Sequence, residues 1–139
     1  MSPSFHHSYL CTKVGRALDI LGTHTVLTEL SIVIDQEYIP DVAVYPKRPV
    51  DFLADDVLRM TEMPLTAIEI LSPSQTLQEA LDKFKVYFGA GIKSCWLVVP
   101  ATQTITVYTA PNQGRVFHSG ELVDPVLDIR IPLEAIFQA

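Results

Sequence analysis

Cysteine is nearly absent from this chain of 139 residues. Its two cysteines, Cys11 and Cys95, lie far apart and outside any CxxC or Cys/His spacing, so neither a zinc motif nor a disulfide framework is indicated. Long apolar runs are missing too, and nothing approaches the roughly 18 consecutive apolar residues of a membrane span. The N-terminal stretch holds His6, His7, Lys13 and Arg16 without an apolar run followed by small residues, which excludes a secretory signal. A cytoplasmic, reducing address and no membrane association are expected. Positive charge is scarce as well: 10 Lys and Arg against 16 Asp and Glu leave a net charge of −6. That is not the footprint of a protein that coats nucleic acid. Neither GxGxxG nor GxxxxGK occurs, and no Ser/His/Asp or Cys/His order is legible, so nucleotide-fold and hydrolase-triad classes have no support. Internal repeats and low-complexity segments are also lacking.

What is present is a core. The chain is 48% hydrophobic and 19% charged, which argues against disorder. Its length fits one domain, since domains peak at about 100–150 residues. Charge is unevenly spread: residues 51–75 carry one Arg and five acids, whereas residues 76–120 carry Lys83, Lys85, Lys93 and Arg115 against Glu79 and Asp82. A local cationic region inside an acidic shell is expected.

Leu10, Val14, Ala17, Leu18 and Leu21 recur on one helical face before Gly22, predicting a helix over Phe5 to Leu21. The run from Thr25 to Ile34 reads as one strand and Ile39 to Tyr45 as a second, ended by Pro46 and Pro49 and joined to the first through a turn at Asp35 to Tyr38. Residues 47–63 read as a polar and mobile excursion with one helical turn at Asp55 to Met60. Leu65 to Leu71 predicts a buried strand. Thr76 and Glu79 match a capping box, opening a helix over Leu77 to Phe88 that Gly89 and Gly91 close. Ser94 to Val99 and Thr102 to Thr109 predict a hairpin about Pro100 to Thr102. Arg115 to Ser119 and Leu127 to Ile131 predict edge strands, and Leu133 to Phe137 a final helical turn. The order predicts an α/β fold, a mixed β-sheet flanked by helices.

Three charges fall where charge is expensive. Asp41 is flanked by Val42 in the second predicted strand, and Glu69 stands between Ile68 and Ile70 in the third; carboxylates resist burial. Lys83 lies on the flank of the second helix, four residues before Tyr87, where its head can lean toward the sheet. If the two strands are neighbours under that helix, all three converge. Paired carboxylates suit a hard cation such as Mg²⁺, and an ammonium beside them suits phosphodiester chemistry. Glu29 is expected to face Asp41 across the hairpin, His7 at the start of the first helix to be a partner or substrate contact, and Gln75 to point into the same site. Ser72 and Ser74 shape the strand-to-helix turn. Trp96, Tyr87 and Phe88 read as core and Lys85 as solvated, and Tyr45 has no assigned role.

The stretches IPDVAV (Ile39 to Val44), AIEILSPS (Ala67 to Ser74), KFKVY (Lys83 to Tyr87) and GAGIKSCWLVV (Gly89 to Val99), in that order, resemble the Uma-two branch of the PD-(D/E)XK nuclease superfamily, whose members are restriction-endonuclease-like. The resemblance implies an αβββαβ core, with Asp41 at the PD aspartate and Glu69 at the second acid. It implies that both hold Mg²⁺ or Mn²⁺, and that the protein is an endonuclease hydrolysing DNA phosphodiester bonds. The superfamily lysine, two residues after the second acid, is here Leu71. The resemblance implies that the lysine has moved to the following helix, as Lys83. Relatives commonly begin earlier, with an acidic, glycine-containing hairpin, so residues 1–139 are expected to form one nuclease-like domain lacking that segment. An exposed sheet edge leads us to expect a homodimer. The alternatives are a catalytically inactive nuclease fold serving as a DNA- or protein-binding module, and a structural or small-molecule-binding dimer whose acids form a hydrogen-bond network.

Overall fold

A computed structural model describes residues 4–138. Helix α1 (Phe5–Asp19) starts at Ser4, whose side chain accepts from the backbone of His7, and buries Leu10, Val14, Ala17 and Leu18. Its predicted last turn is looser: Ile20, Leu21 and Gly22 close it by bonds to Arg16, Leu18 and Asp19, with Gly22 left-handed.

The single strand expected over Thr25 to Ile34 is two. Strand β1 (His24–Thr28) stops because Glu29 turns into the left-handed region at φ 55. The chain then makes a small separate hairpin, β2 (Ile32–Ile34) and β3 (Gln36–Tyr38), around Asp35 at φ 61. Positive φ at a non-glycine residue leaves no mark in a hydrophobic pattern, which is why the split was not foreseen. Strand β4 (Val42–Pro46) follows, so Asp41 stands one residue before the strand instead of within it.

Residues 47–63 form no helix, which corrects the turn predicted at Asp55 to Met60. Instead Met60 bonds to the backbone of Ser31 and Val33 beside β2, and Arg48 grips Glu62 through two 2.8 Å bonds. Tyr45, buried in β4, donates its hydroxyl to the Glu62 carbonyl at 2.8 Å.

Strand β5 (Thr66–Ile70) and helix α2 (Leu77–Gly89) match expectation, including the reciprocal Thr76–Glu79 capping box. Strand β6 (Ser94–Val99) and β7 (Thr104–Ala110) form the predicted hairpin over a 3₁₀ turn at Pro100–Thr102. Strand β8 (Gln113–Phe117) edges the sheet. Two short strands, β9 (Glu121–Asp124) and β10 (Ile129–Pro132), pair only with each other ahead of helix α3 (Glu134–Phe137); β9 was not foreseen, and β10 does not join the main sheet. The main sheet runs β1-β4-β5-β6-β7-β8. Only β5 and β6 are parallel, with α2 as the crossover that such a pair requires. Among the described residues no helix is long and apolar enough to cross a membrane.

Alternation along the strands sorts the side chains into two cores. Val42, Val44, Ile68, Ile70, Trp96 and Val98 face α1, α3 and the β9–β10 ribbon. Ala67, Cys95 and Leu97 face α2, meeting Ala80, Phe84 and Tyr87, with Ile32 of the small hairpin closing that side. On the first side Asp124, fully buried, accepts from Ser94 Oγ at 2.8 Å, Trp96 Nε1 at 2.7 Å and the N–H groups of Val126 and Leu127. Every lone pair it needs is supplied, which is the condition for burying a carboxylate. Glu69 alternates with Ile68 and Ile70 and therefore points to the α2 side.

Candidate active site

The register Thr28↔Val42↔Ile68 across β1, β4 and β5 carries on for one more row. In that row Glu29, Asp41 and Glu69 stand side by side at the end of three neighbouring strands. The Glu29 N–H still donates to the Asp41 carbonyl, at 3.2 Å. Glu29 thus meets Asp41 through the β1–β4 pairing, not through the Asp35 turn as expected. Antiparallel pairing of β4 with β5 puts Asp41 and Glu69 on one edge without any sequence proximity.

Asp41 Oδ2 accepts from the N–H of Ile70 at 2.7 Å, taking the place of a ladder partner where β4 ends. The same oxygen lies 3.1 Å from His7 Nε2. His7 comes from the first turn of α1, so the site sits where the two helical layers meet the sheet end. Glu69 is 3% exposed. Its Oε2 accepts from the Tyr87 hydroxyl at 2.9 Å, and Lys83 Nζ stands 3.5 Å from Oε1. Lys83 and Tyr87 are one turn apart on α2, the spacing that lets two side chains reach one target.

Burial, and then the charge of Asp41, push the Glu69 carboxyl up to about 7, although Lys83 and Tyr87 pull it back. The Tyr87 hydroxyl is driven well above its ordinary range by burial and by Glu69. Burial, followed by Asp41, Glu29 and Glu69, pushes the Cys11 thiol up to about 12. All of this is the signature of carboxylates crowded in a dry place without enough positive charge. A buried acid costs several kcal/mol unless compensated, and a hydrophobic residue of like volume is often the more stable choice. A perturbed acid such as Glu69 facing a cleft marks a candidate functional site.

The cleft is small, about 180 Å³, and Asp41, Glu69, Lys83, Glu29, His7 and Gln75 all line it, with Ser72 and Ile39 completing the wall. The six candidate site residues read from the sequence therefore all line one cleft. A hollow of about 470 Å³ beside α3 is larger, but the acids lining it, Glu121 and Glu134, are exposed. Two participants were not foreseen. Tyr87 was read as core, yet its hydroxyl holds Glu69. Cys11 was set aside for want of a zinc motif, yet its Sγ lies 3.7 Å from His7 Nδ1. The signal for Cys11 was there, because His7 and Cys11 share the i, i+4 spacing of a helix face. Lys85 pairs with exposed Asp82, and Trp96 is core, as read.

A mixed sheet with helices on both faces, and an acid at the end of each of two antiparallel neighbours, defines a nuclease-like fold. The crystal structure of a putative nuclease belonging to DUF820 from Anabaena variabilis has this fold: it superposes with a TM-score of 0.79 at 20% identity, over 99% of this chain and 83% of that one. The chain belongs to the Uma2 family, putative restriction endonuclease, whose profile matches residues 1–134. No curated protein matches it.

Proposed function

We propose that this protein is a divalent-metal-dependent endonuclease that hydrolyses DNA phosphodiester bonds from the Asp41–Glu69 cleft. The observation that carries the reading is the side-by-side placement of Asp41 and Glu69 on paired strands, with Lys83 reaching Glu69 from α2. The donors fit a hard cation. They are carboxylate oxygens from neighbouring strands, with Glu29 lining the same cleft, and the repulsion between Asp41 and Glu69 is what a cation relieves. Asp41 and Glu69 would hold Mg²⁺ or Mn²⁺, which when bound lowers the pKa of a coordinated water and stabilises charge on a phosphoryl oxygen.

The chain's own residues do the rest. Tyr87 fixes one oxygen of Glu69, and the Ile70 N–H fixes one oxygen of Asp41, so neither carboxylate has to be ordered on binding. Lys83, 37% exposed, holds the attacking water and neutralises charge that develops on the phosphate. Gln75 on the cleft wall contacts the phosphate backbone. A net charge of −6 provides no long-range steering toward DNA. Affinity therefore comes from local contacts, Lys83 among them. The open edges of β1 and β8 provide the surface for a homodimer, which would present two clefts to the two strands. The free thiols of Cys11 and Cys95 suit a reducing, cytoplasmic setting.

Calorimetric titration of Mn²⁺ or Mg²⁺ into wild type, Asp41→Ala and Glu69→Ala tests the reading, followed by cleavage of plasmid DNA. Binding by the wild type and by neither folded variant is expected, with cleavage only by the wild type. A folded wild type that binds no metal would sink it. The second reading, a silent nuclease fold used for binding DNA or protein, would then stand, and one feature favours it: Leu71 fills the motif's lysine position and packs against the α2-side core.

A further inference from the structure

The proposed mechanism uses His7 only as a neighbour of Asp41, and Cys11 not at all. Yet His7, Cys11 and Asp41 each offer one donor atom, a nitrogen, a sulfur and an oxygen, and these three atoms lie within 4.8 Å of one another. The imidazole neighbours both of the others, with Nδ1 3.7 Å from Cys11 Sγ and Nε2 3.1 Å from Asp41 Oδ2, and one ring nitrogen would serve as the ligand. We propose that His7, Cys11 and Asp41 form a binding site for a thiophilic divalent cation of the Zn²⁺ class, distinct from the all-oxygen Asp41–Glu69 pair.

Thiolate, imidazole and carboxylate are the three ligand types that Zn²⁺ takes, at about 2.0–2.3 Å and with four-fold coordination, so three protein donors leave one position for water. Mg²⁺ prefers oxygen alone, and a sulfur donor selects against it. The donors are carried by rigid elements. His7 and Cys11 are one turn apart on α1, the His7 N–H is capped by Ser4 Oγ at 3.2 Å, and Asp41 is held by the Ile70 N–H at 2.7 Å. His7 and Asp41 line the cleft, so an ion arrives from solvent. Cys11, half-buried behind them, completes the site from within. On binding, the Cys11 S–H bond breaks, its proton leaves to solvent, and a sulfur–metal bond forms with no change of oxidation state.

The same three residues, a thiol and a carboxylate each beside one imidazole, invite a rival reading as a cysteine nucleophile. Two features oppose it: Cys11 is not part of the cleft wall, and burial first, then the neighbouring carboxylates, raise its thiol well above its ordinary range. A cation is favoured by those same carboxylates. Because Asp41 belongs to both sites, Zn²⁺ held here withdraws it from Mg²⁺ and inhibits cleavage. That consequence rests on the nuclease reading, whereas the binding itself does not.

Co²⁺, a spectroscopic stand-in for Zn²⁺, tests the site directly in the wild-type chain. A near-ultraviolet sulfur-to-cobalt charge-transfer band is expected, together with strong visible absorption of a four-coordinate ion, both displaced by Zn²⁺. Cys11→Ser should lose the band and bind Zn²⁺ at least about tenfold more weakly, since even the outer partners of metal ligands are worth about 10–100-fold. Cys95→Ala and Glu69→Gln should keep the band. The Glu69→Gln variant separates the two readings, because it loses Mg²⁺ binding if the nuclease site is real and keeps Co²⁺ binding if this one is. Absence of the band in the folded wild type overturns the proposal without any variant, and so does unchanged Zn²⁺ affinity in Cys11→Ser.

Discussion

Replacing Glu69 by Gln removes a charge that the fold pays to bury. The carboxyl is raised from its ordinary 4.5 to about 7, first by burial and then by Asp41. The folded state therefore binds this proton more tightly than the unfolded chain does, so this group's contribution is fully favourable below about pH 4.5. It is lost progressively as pH rises to about 7. At about 1.4 kcal/mol per pKa unit the loss is on the order of 3 kcal/mol. The substitution also removes the Lys83 pair, which is part-exposed at 3.5 Å and worth about 0–1 kcal/mol. The Tyr87 hydroxyl still finds an amide oxygen. Metal-free Glu69→Gln should thus be more stable than wild type by about 2 kcal/mol at pH 8, and nearly equal to it at pH 4.5. Urea unfolding in the presence of chelator at both pH values measures this. In a chain of this size about 2 kcal/mol corresponds to a melting shift of several degrees. Adding Mg²⁺ at about 100 times its dissociation constant should stabilise wild type by about 2.7 kcal/mol and leave the variant unmoved. A variant less stable than wild type at pH 8, or a difference that ignores pH, would refute the claim that Glu69 is a destabilising charge kept for binding.

Other perturbations read the same geometry. Lys83→Ala should keep Mn²⁺ affinity in calorimetry while DNA cleavage falls by about 10²–10³-fold, the usual effect of losing one donor to developing charge. Tyr87→Phe leaves Glu69 with one donor fewer, so stability at pH 8 should fall by about 1–3 kcal/mol and the acidic limb of the cleavage pH profile should move to higher pH. Asp124→Ala strands the Trp96 N–H and the N–H groups of Val126 and Leu127, while Ser94 keeps Thr66 as a partner. Denaturation followed by the fluorescence of Trp96 should show a loss of about 3–5 kcal/mol, with no change in metal affinity if the protein stays folded.

Local rules reached far into this fold. The i, i+4, i+8 spacing of Leu10, Val14 and Leu18, the Thr76–Glu79 box and the alternation of Ile68 and Ile70 each depend on residues within one or two turns, and each appeared as read. So did the cost of Glu69 in apolar surroundings, which is a property of the residue and its immediate neighbours. The errors share a cause. Glu29 reverses the chain through a left-handed residue, and apolar alternation runs on through it unmarked. Strand β9 is short, and its Asp124 is unremarkable until Ser94, Trp96 and two N–H groups gather round it. Tyr87 repeats at a core position, and no pattern says that its hydroxyl ends at Glu69.

The sequence by itself determined α1, α2 and the strands β4 to β7, the acidic balance, and the three charges in apolar surroundings. Those follow from periodicity, counting and the price of desolvating a carboxylate. Tertiary structure alone decided that Glu29, Asp41 and Glu69 share one row, that His7 and Cys11 come to Asp41, and that the Glu69 carboxyl is driven up to about 7. Register between strands separated by tens of residues is settled by the whole core at once. The dielectric around a charge exists only after that core has closed.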